Sequence, residues 1–195
     1  MRLRRVSPLC RWCAALAVVL ICSCQPLSGG SSPLSSLPPG FPAGCTANFA
    51  VAQVNRLLAA LGSGNPDAVA ALIVPPAPHQ DGLELTSSIS DFLAGRPATD
   101  LQVHERADLE LLVADTKGLH IDLDAPLSAK EGVDLQSGPG AYTGPGVSMG
   151  PVLWRASGDR VTAAGHHVIK GGGKALVQCP SGLFVRALFS PTSFA

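Results

Sequence analysis

Past residue 24 the chain holds only two cysteines, Cys45 and Cys179, with no C-x-x-C pair, and nowhere does it space two histidines as H-x-x-x-H. These absences leave a thioredoxin-type redox motif and a zinc site without support, since zinc needs three or four converging ligands. No apolar run approaches the roughly 20 residues that a bilayer-spanning helix requires. Aromatic residues are 5% and charged residues 14% of the chain. There is no basic excess either: from Cys24 onward 10 bases face 14 acids, which gives no reason to expect nucleic acid. A nucleotide loop is also missing. Gly171-Gly172-Gly173-Lys174 has the end of the pattern, but Val168 stands at its first glycine and Ala175 at its hydroxyl.

What is present begins with Arg2, Arg4, Arg5 and Arg11, no acid before Cys24, and an unbroken apolar run of 11 residues from Trp12 to Cys22. That is the charged start and short apolar core of a secretory signal. Ile21, Cys22, Ser23 and Cys24 follow, with an aliphatic residue three before a cysteine and a small residue just before it. This resembles the bacterial lipobox, in which the cysteine is acylated and becomes the new N-terminus. The expectation is therefore a signal peptide over 1–23, a lipidated Cys24, and a location on the extracytoplasmic face of a cell membrane or envelope. Residues 25–44 contain five Pro, five Ser and four Gly. Such a composition cannot bury enough apolar surface to fold and makes a tether with a reach of roughly 25 Å. The domain is expected over 45–195, and in an oxidising compartment Cys45 and Cys179, which bracket it, are expected to pair.

Within the domain, Asn48 is placed to cap a helix over 49–61 that Gly62 ends. Asn65, Pro66 and Asp67 restart a short helix in the order of cap, first-turn proline and first-turn acid. A third helix runs over 88–94 and closes at Gly95. After Pro97 the pattern reads as period two: a strand over 107–115, a turn at Lys117-Gly118, and a half-buried strand in which Leu119, Ile121 and Leu123 alternate with His120, Asp122 and Asp124. Residues 126–146, rich in Gly and Pro, read as a long connection. Further strands are expected near 151–156, 160–170 and 174–189, with turns at 157–159, 171–173 and 180–182. Helices first and antiparallel strands afterwards indicate an α+β fold, with the N-terminal helices packed on a curved antiparallel sheet.

At this point the chain resembles the nuclear transport factor 2-like (SnoaL-like) superfamily over roughly residues 46–190. The resemblance rests on Leu57-Leu58-Ala59-Ala60-Leu61 at the end of the first helix, on Gly64-Asn65-Pro66-Asp67 leading into Ala68–Val74, and on the late hairpins beginning at Trp154. It implies a single cone-like domain around an interior pocket, used by some members as enzymes and by many as binding or assembly modules. It carries no catalytic residue to this chain, because no catalytic motif of the family maps onto it.

Several residue groups are candidates for chemistry. Gly146-Val147-Ser148-Met149-Gly150 fits G-x-S-x-G, with Asp159 and then His166 or His167 following in hydrolase order. A nucleophile elbow needs an apolar strand before the serine and a helix after it, whereas Gly and Pro precede Ser148 and Pro151 follows. His120, Asp122 and Asp124 share one strand face, which suits either a proton-transfer site or a solvated surface. Trp154, Tyr142 and His166 are the candidates for lining a ligand pocket, and core packing is the competing role for the aromatics. Charge divides unevenly: 67–134 hold 13 acids and 4 bases, 135–195 hold 1 acid and 5 bases.

These observations favour a membrane-anchored, extracytoplasmic, non-catalytic domain, without metal or cofactor, that binds a small apolar ligand or an envelope protein partner. The ligand pocket would lie between helices and sheet, beside the 126–146 segment. Two alternatives remain open: a small hydrolase using Ser148 with a histidine, and a structural envelope-associated protein, the latter favoured if the interior proves filled.

Overall fold

The first helix, α1 (Ala47–Ser63), begins two residues earlier than the sequence suggests, because the Thr46 hydroxyl accepts the Phe49 N–H at 3.2 Å and Asn48 lies inside the first turn. It also runs past Gly62. That glycine is a point of close approach: a Cβ there would collide with the Leu119 carbonyl, and the helix ends instead at Gly64, with φ 72°. The second helix, α2 (Pro66–Ala70), starts as expected, with Asn65 Oδ1 accepting the N–H of Asp67 and Ala68. The chain continues as β1 (Leu83–Leu85), α3 (Ile89–Leu93), β2 (Leu101–Gln102), α4 (Arg106–Thr116), β3 (His120–Leu123), β4 (Ala129–Gln136), β5 (Thr143–Met149), β6 (Trp154–Ser157), α5 (Asp159–Ala163), β7 (Ile169–Gln178) and β8 (Phe184–Phe194). This computed structural model describes residues 42–74, 82–124, 129–136 and 143–195, all within one compact unit, Ser35–Ala195. The signal segment, Cys24, nearly all of the tether and Tyr142 lie outside the described residues.

Four expectations are corrected. Residues 107–115 form α4 rather than a strand: the Asp108 carboxylate accepts the His104 and Glu105 N–H groups, and Leu109, Leu112, Val113 and Thr116 fall on one buried stripe at helical spacing. The 126–146 segment contributes two paired strands, since Lys130 faces Ser148 and Gln136 faces Thr143 across a β4–β5 hairpin with one bulge. The start of the 160–170 segment is α5, one short turn opened by Gly158, and strand structure begins only at Ile169. The triple glycine lies inside β7, where small residues let neighbours close in: a Cβ at Gly171 would strike the Trp154 ring, and one at Gly173 the Leu188 carbonyl.

The strands form one mixed sheet in the order β2-β1-β8-β7-β5-β4, with β6 joining the far end of β7 and β3 pairing β6. Among the described strands β1 and β8 run parallel and the other pairs are antiparallel; Ile73 adds an isolated parallel bridge to Phe184. The class is α+β with an open, curved sheet, as expected from the element order; the sheet is mixed rather than wholly antiparallel, because β1 joins β8 in parallel. β7 and β8 alternate faces, and the face carrying Ala175, Val177, Ala187 and Phe189 joins Leu57, Leu58 and Leu112 from the helices in one core. The expected disulfide is present: Cys45, before α1, is bonded to Cys179 at the β7–β8 turn, with Cα atoms 5.6 Å apart. Among the described residues no helix is long and apolar enough to cross a membrane.

Candidate functional site

A pocket between helices and sheet would lie where α1, α4, β1 and β8 meet. Leu58, Leu83, Leu112, Ile121, Trp154 and Phe189 line that region, and the space they leave is about 20 Å³. This is room for about one water molecule, against roughly 300 Å³ or more for a drug-sized ligand. Local sequence explains the filling. β-Branched and aromatic residues on the inner face of the sheet meet the leucine stripe of α1, and the glycines of β7 let Trp154 fold flat over the strand. Trp154 is 3% exposed, and its Nε1 points at the Gly172 carbonyl 3.4 Å away. It is a core residue at the edge of this space. Glu84 and Thr116 are the polar residues of this lining, and the buried Thr116 hydroxyl is satisfied within the protein, donating to the Leu61 carbonyl at 2.9 Å.

The opposite face of the sheet is open. On β7 the outward residues are Lys170, Gly172, Lys174, Leu176 and Gln178; on β8 they include Arg186 and Leu188. The register sets Lys174 opposite Leu188 and Leu176 opposite Arg186, so two leucines and two cations alternate diagonally. Ser148 of β5 stands beside Leu176, and Leu153, 41% exposed, lies over Gly172. Together these side chains bound a groove of about 290 Å³ at Ser148, Lys174, Leu176, Arg186 and Leu188. A second groove of similar volume runs between α2 and α4, past Ile73, Val103, His104, Arg106 and Leu109. Its arginine is engaged: Arg106 reaches Asp67 at 2.6 Å and Glu110 at 2.8 Å, and these carboxylates raise its pKa, Glu110 most.

The residues singled out from sequence do not assemble into one site. Ser148 is the penultimate residue of β5, and the chain beyond it leads to β6 rather than to a helix. Leu176, its partner on β7, is seven residues from Ile169, or about 23 Å at about 3.3 Å per residue, and His166 lies beyond that end. His166 instead stacks on Phe194, ring centroids 3.6 Å apart, at the chain's C-terminal edge and away from the interior. His166 and His167 follow α5 in a turn, so strand alternation does not govern them. His120 Nε2 meets Asp122 Oδ2 at 2.9 Å on an exposed surface, and Asp124 faces Arg155 at 3.9 Å. Among the described residues no group of three His, Cys, Asp or Glu is placed to hold a metal ion.

One cluster was not anticipated. The Asp115 carboxylate, on α4, accepts the Ile89 and Ser90 N–H groups and the Ser90 hydroxyl, closing the start of α3, while Arg160 of α5 donates to the Asp115 carbonyl at 2.6 Å and to Ser90 Oγ at 2.7 Å. Every member is partnered within the cluster, so its chemistry is structural. No local pattern signals it, because the three residues come from separate elements.

No family model and no curated protein matches the chain by sequence. Solved structures similar to it include a nuclear transport factor 2-like superfamily protein from Salmonella enterica serovar Typhimurium, at 12% identity and TM-score 0.48, covering 75% of this chain and 91% of the other. Another is a putative calcium/calmodulin dependent protein kinase II association domain from Xanthomonas campestris, at 16% identity and TM-score 0.47, covering 78% and 91%. A third, a protein of cystatin-like fold from Methylobium petroleophilum, has 13% identity and TM-score 0.46, covering 76% and 78%.

Proposed function

We propose that this chain is an exported lipoprotein, acylated at Cys24, whose domain is held outside the cytoplasm to bind a protein partner rather than to catalyse a reaction or enclose a small ligand. The observation that carries the choice is the filling between helices and sheet among the described residues: about 20 Å³ is too little for a small apolar ligand, which favours recognition at the outer surface. A filled interior equally suits a structural envelope role, and the open groove on the outer sheet face favours a binding one. The Cys45–Cys179 bond supports an oxidising compartment, where structural disulfides persist. The signal-like segment and its cysteine supply the anchor. A hydrolase reading has less support, since the described geometry leaves Ser148 and His166 far apart.

Intact mass spectrometry of the protein purified from its native membrane tests this reading. The expected mass begins at Cys24, includes lipid, and gains two hydrogens on reduction; a Cys24→Ser variant should stay unlipidated and leave the membrane fraction. An unlipidated native product would withdraw the anchor, and a small molecule retained in the native-state spectrum would return the interior to ligand binding.

A further inference from the structure

We infer that the Cys45–Cys179 bond is installed by an extracytoplasmic dithiol oxidoreductase that captures Cys45 first, and that Cys179 is the cysteine that then displaces the enzyme. This rests on the export half of the reading above and not on what the domain binds. Two observations carry it, and the first is burial. Cys45 and Cys179 are each 2% exposed, and the Cys179 N–H donates to the Pro145 carbonyl at 3.0 Å. The β7–β8 turn is pressed so closely on α1 that a Cβ at Gly182 would come within 2.8 Å of Gln53. Folding therefore covers both sulfurs, and an oxidant must reach a thiol before the turn docks. A small domain folds in about a second or less, whereas uncatalysed disulfide exchange takes minutes to hours, so a catalysed exchange is the one that stays ahead of burial.

The second observation is spacing. The bonded cysteines are 134 apart in sequence, and the other four, Cys10, Cys13, Cys22 and Cys24, lie in the signal segment or take the proposed lipid. At a synthesis rate of about 5–20 residues per second, Cys45 precedes Cys179 by about 7–27 s. Over that interval Cys45 has no cysteine of the domain to pair with, and its thiol meets the oxidoreductase alone. Exchange then takes two steps. The Cys45 thiolate attacks the enzyme's disulfide, forming a Cys45–enzyme disulfide and releasing one enzyme thiolate; the Cys179 thiolate then attacks Cys45 Sγ and releases the other. The two cysteines give up two protons and two electrons, and the electrons reduce the enzyme's disulfide to a dithiol. Two thiols allow one intrachain bond, so no reshuffling step follows.

The test follows the full-length protein in its native cells by pulse labelling, acid quenching, blocking of free thiols with N-ethylmaleimide, and mapping of mixed disulfides by mass spectrometry. The wild-type chain should pass through an adduct joining Cys45 to a peptide with two cysteines spaced C-x-x-C, at least about tenfold more abundant than any adduct at Cys179. Cys179→Ser, which lacks the displacing thiol, should accumulate the Cys45 adduct whether or not the variant folds. Wild-type adducts mainly at Cys179 would overturn the order of capture. A bond that forms with no adduct in either the wild type or the variant would overturn enzymatic capture while leaving export intact. Wild-type chains in which both Cys45 and Cys179 are blocked as free thiols at steady state would overturn the inference and export together.

Discussion

An alanine at Gly62 sets two effects against each other. Within a helix the change should gain about 1 kcal/mol, but the added Cβ would meet the Leu119 carbonyl, and overpacking of that kind costs about 1–3 kcal/mol. The neighbour is backbone of the β3 approach, which yields less readily than a side chain. Gly62→Ala should therefore lower stability by about 1–2 kcal/mol in urea unfolding. Gly172→Ala, whose Cβ would meet only Leu153 Cδ2 at 3.9 Å, should be neutral or mildly stabilising, and equal behaviour of the two would refute the close-approach account. Asp115→Ala should lose about 2–4 kcal/mol by stranding the Ile89 and Ser90 N–H groups at the start of α3 and removing the carboxylate 3.9 Å from the Arg160 guanidinium. Asp91 supplies a pH dependence. Hydrogen bonds from Thr99 and Ser88 hold its carboxyl below the usual range, with burial opposing and Arg96 assisting. Its folded value being depressed, its contribution is present above the unfolded carboxylate range and lost as pH falls below about 4. Asp91→Asn should flatten the fall in melting temperature over that range.

At the scale of elements, α4 gives the sharpest test, because its helix replaces an expected strand. Leu112→Ala should cost about 2–5 kcal/mol and Leu111→Ala less than about 0.5, in denaturant titration. A period-two strand would put Val113 on the exposed face with Leu111, whereas the helical stripe buries it beside Leu112, so Val113→Ala should destabilise as well. Much of the element order was legible in sequence. Asn65-Pro66-Asp67, Ser88 and the alternation from Leu119 to Leu123 signal their structures through caps and faces that need no distant partner. The misread elements each depended on context. Residues 107–115 mix two periodicities, and Asp108, which closes the capping contacts, decides between them. Gly171 to Gly173 resemble a turn until Trp154 is known to lie against Gly171. The groove was legible only as strand pattern, for no local reading places Lys174 opposite Leu188 or Ser148 beside Leu176.

For the whole molecule, the Cys45–Cys179 bond has the largest reach, joining residues 134 apart in sequence. In the chain-entropy model a loop of that length stabilises by about 5 kcal/mol. A Cys45→Ser, Cys179→Ser double variant should lose much of this and melt at a clearly lower temperature, while an unchanged melting temperature would mean that the denatured chain is already compact. The bond also decides how the domain answers a pull. Tension arriving through the chain ahead of Cys45 meets a branch point there, and part of the load passes through the sulfurs into the β7–β8 turn and along the two longest strands of the sheet. α1 is then spared from being peeled away turn by turn, and the oxidised protein resists at the sheet, whereas the reduced protein would give way first at its opening helix.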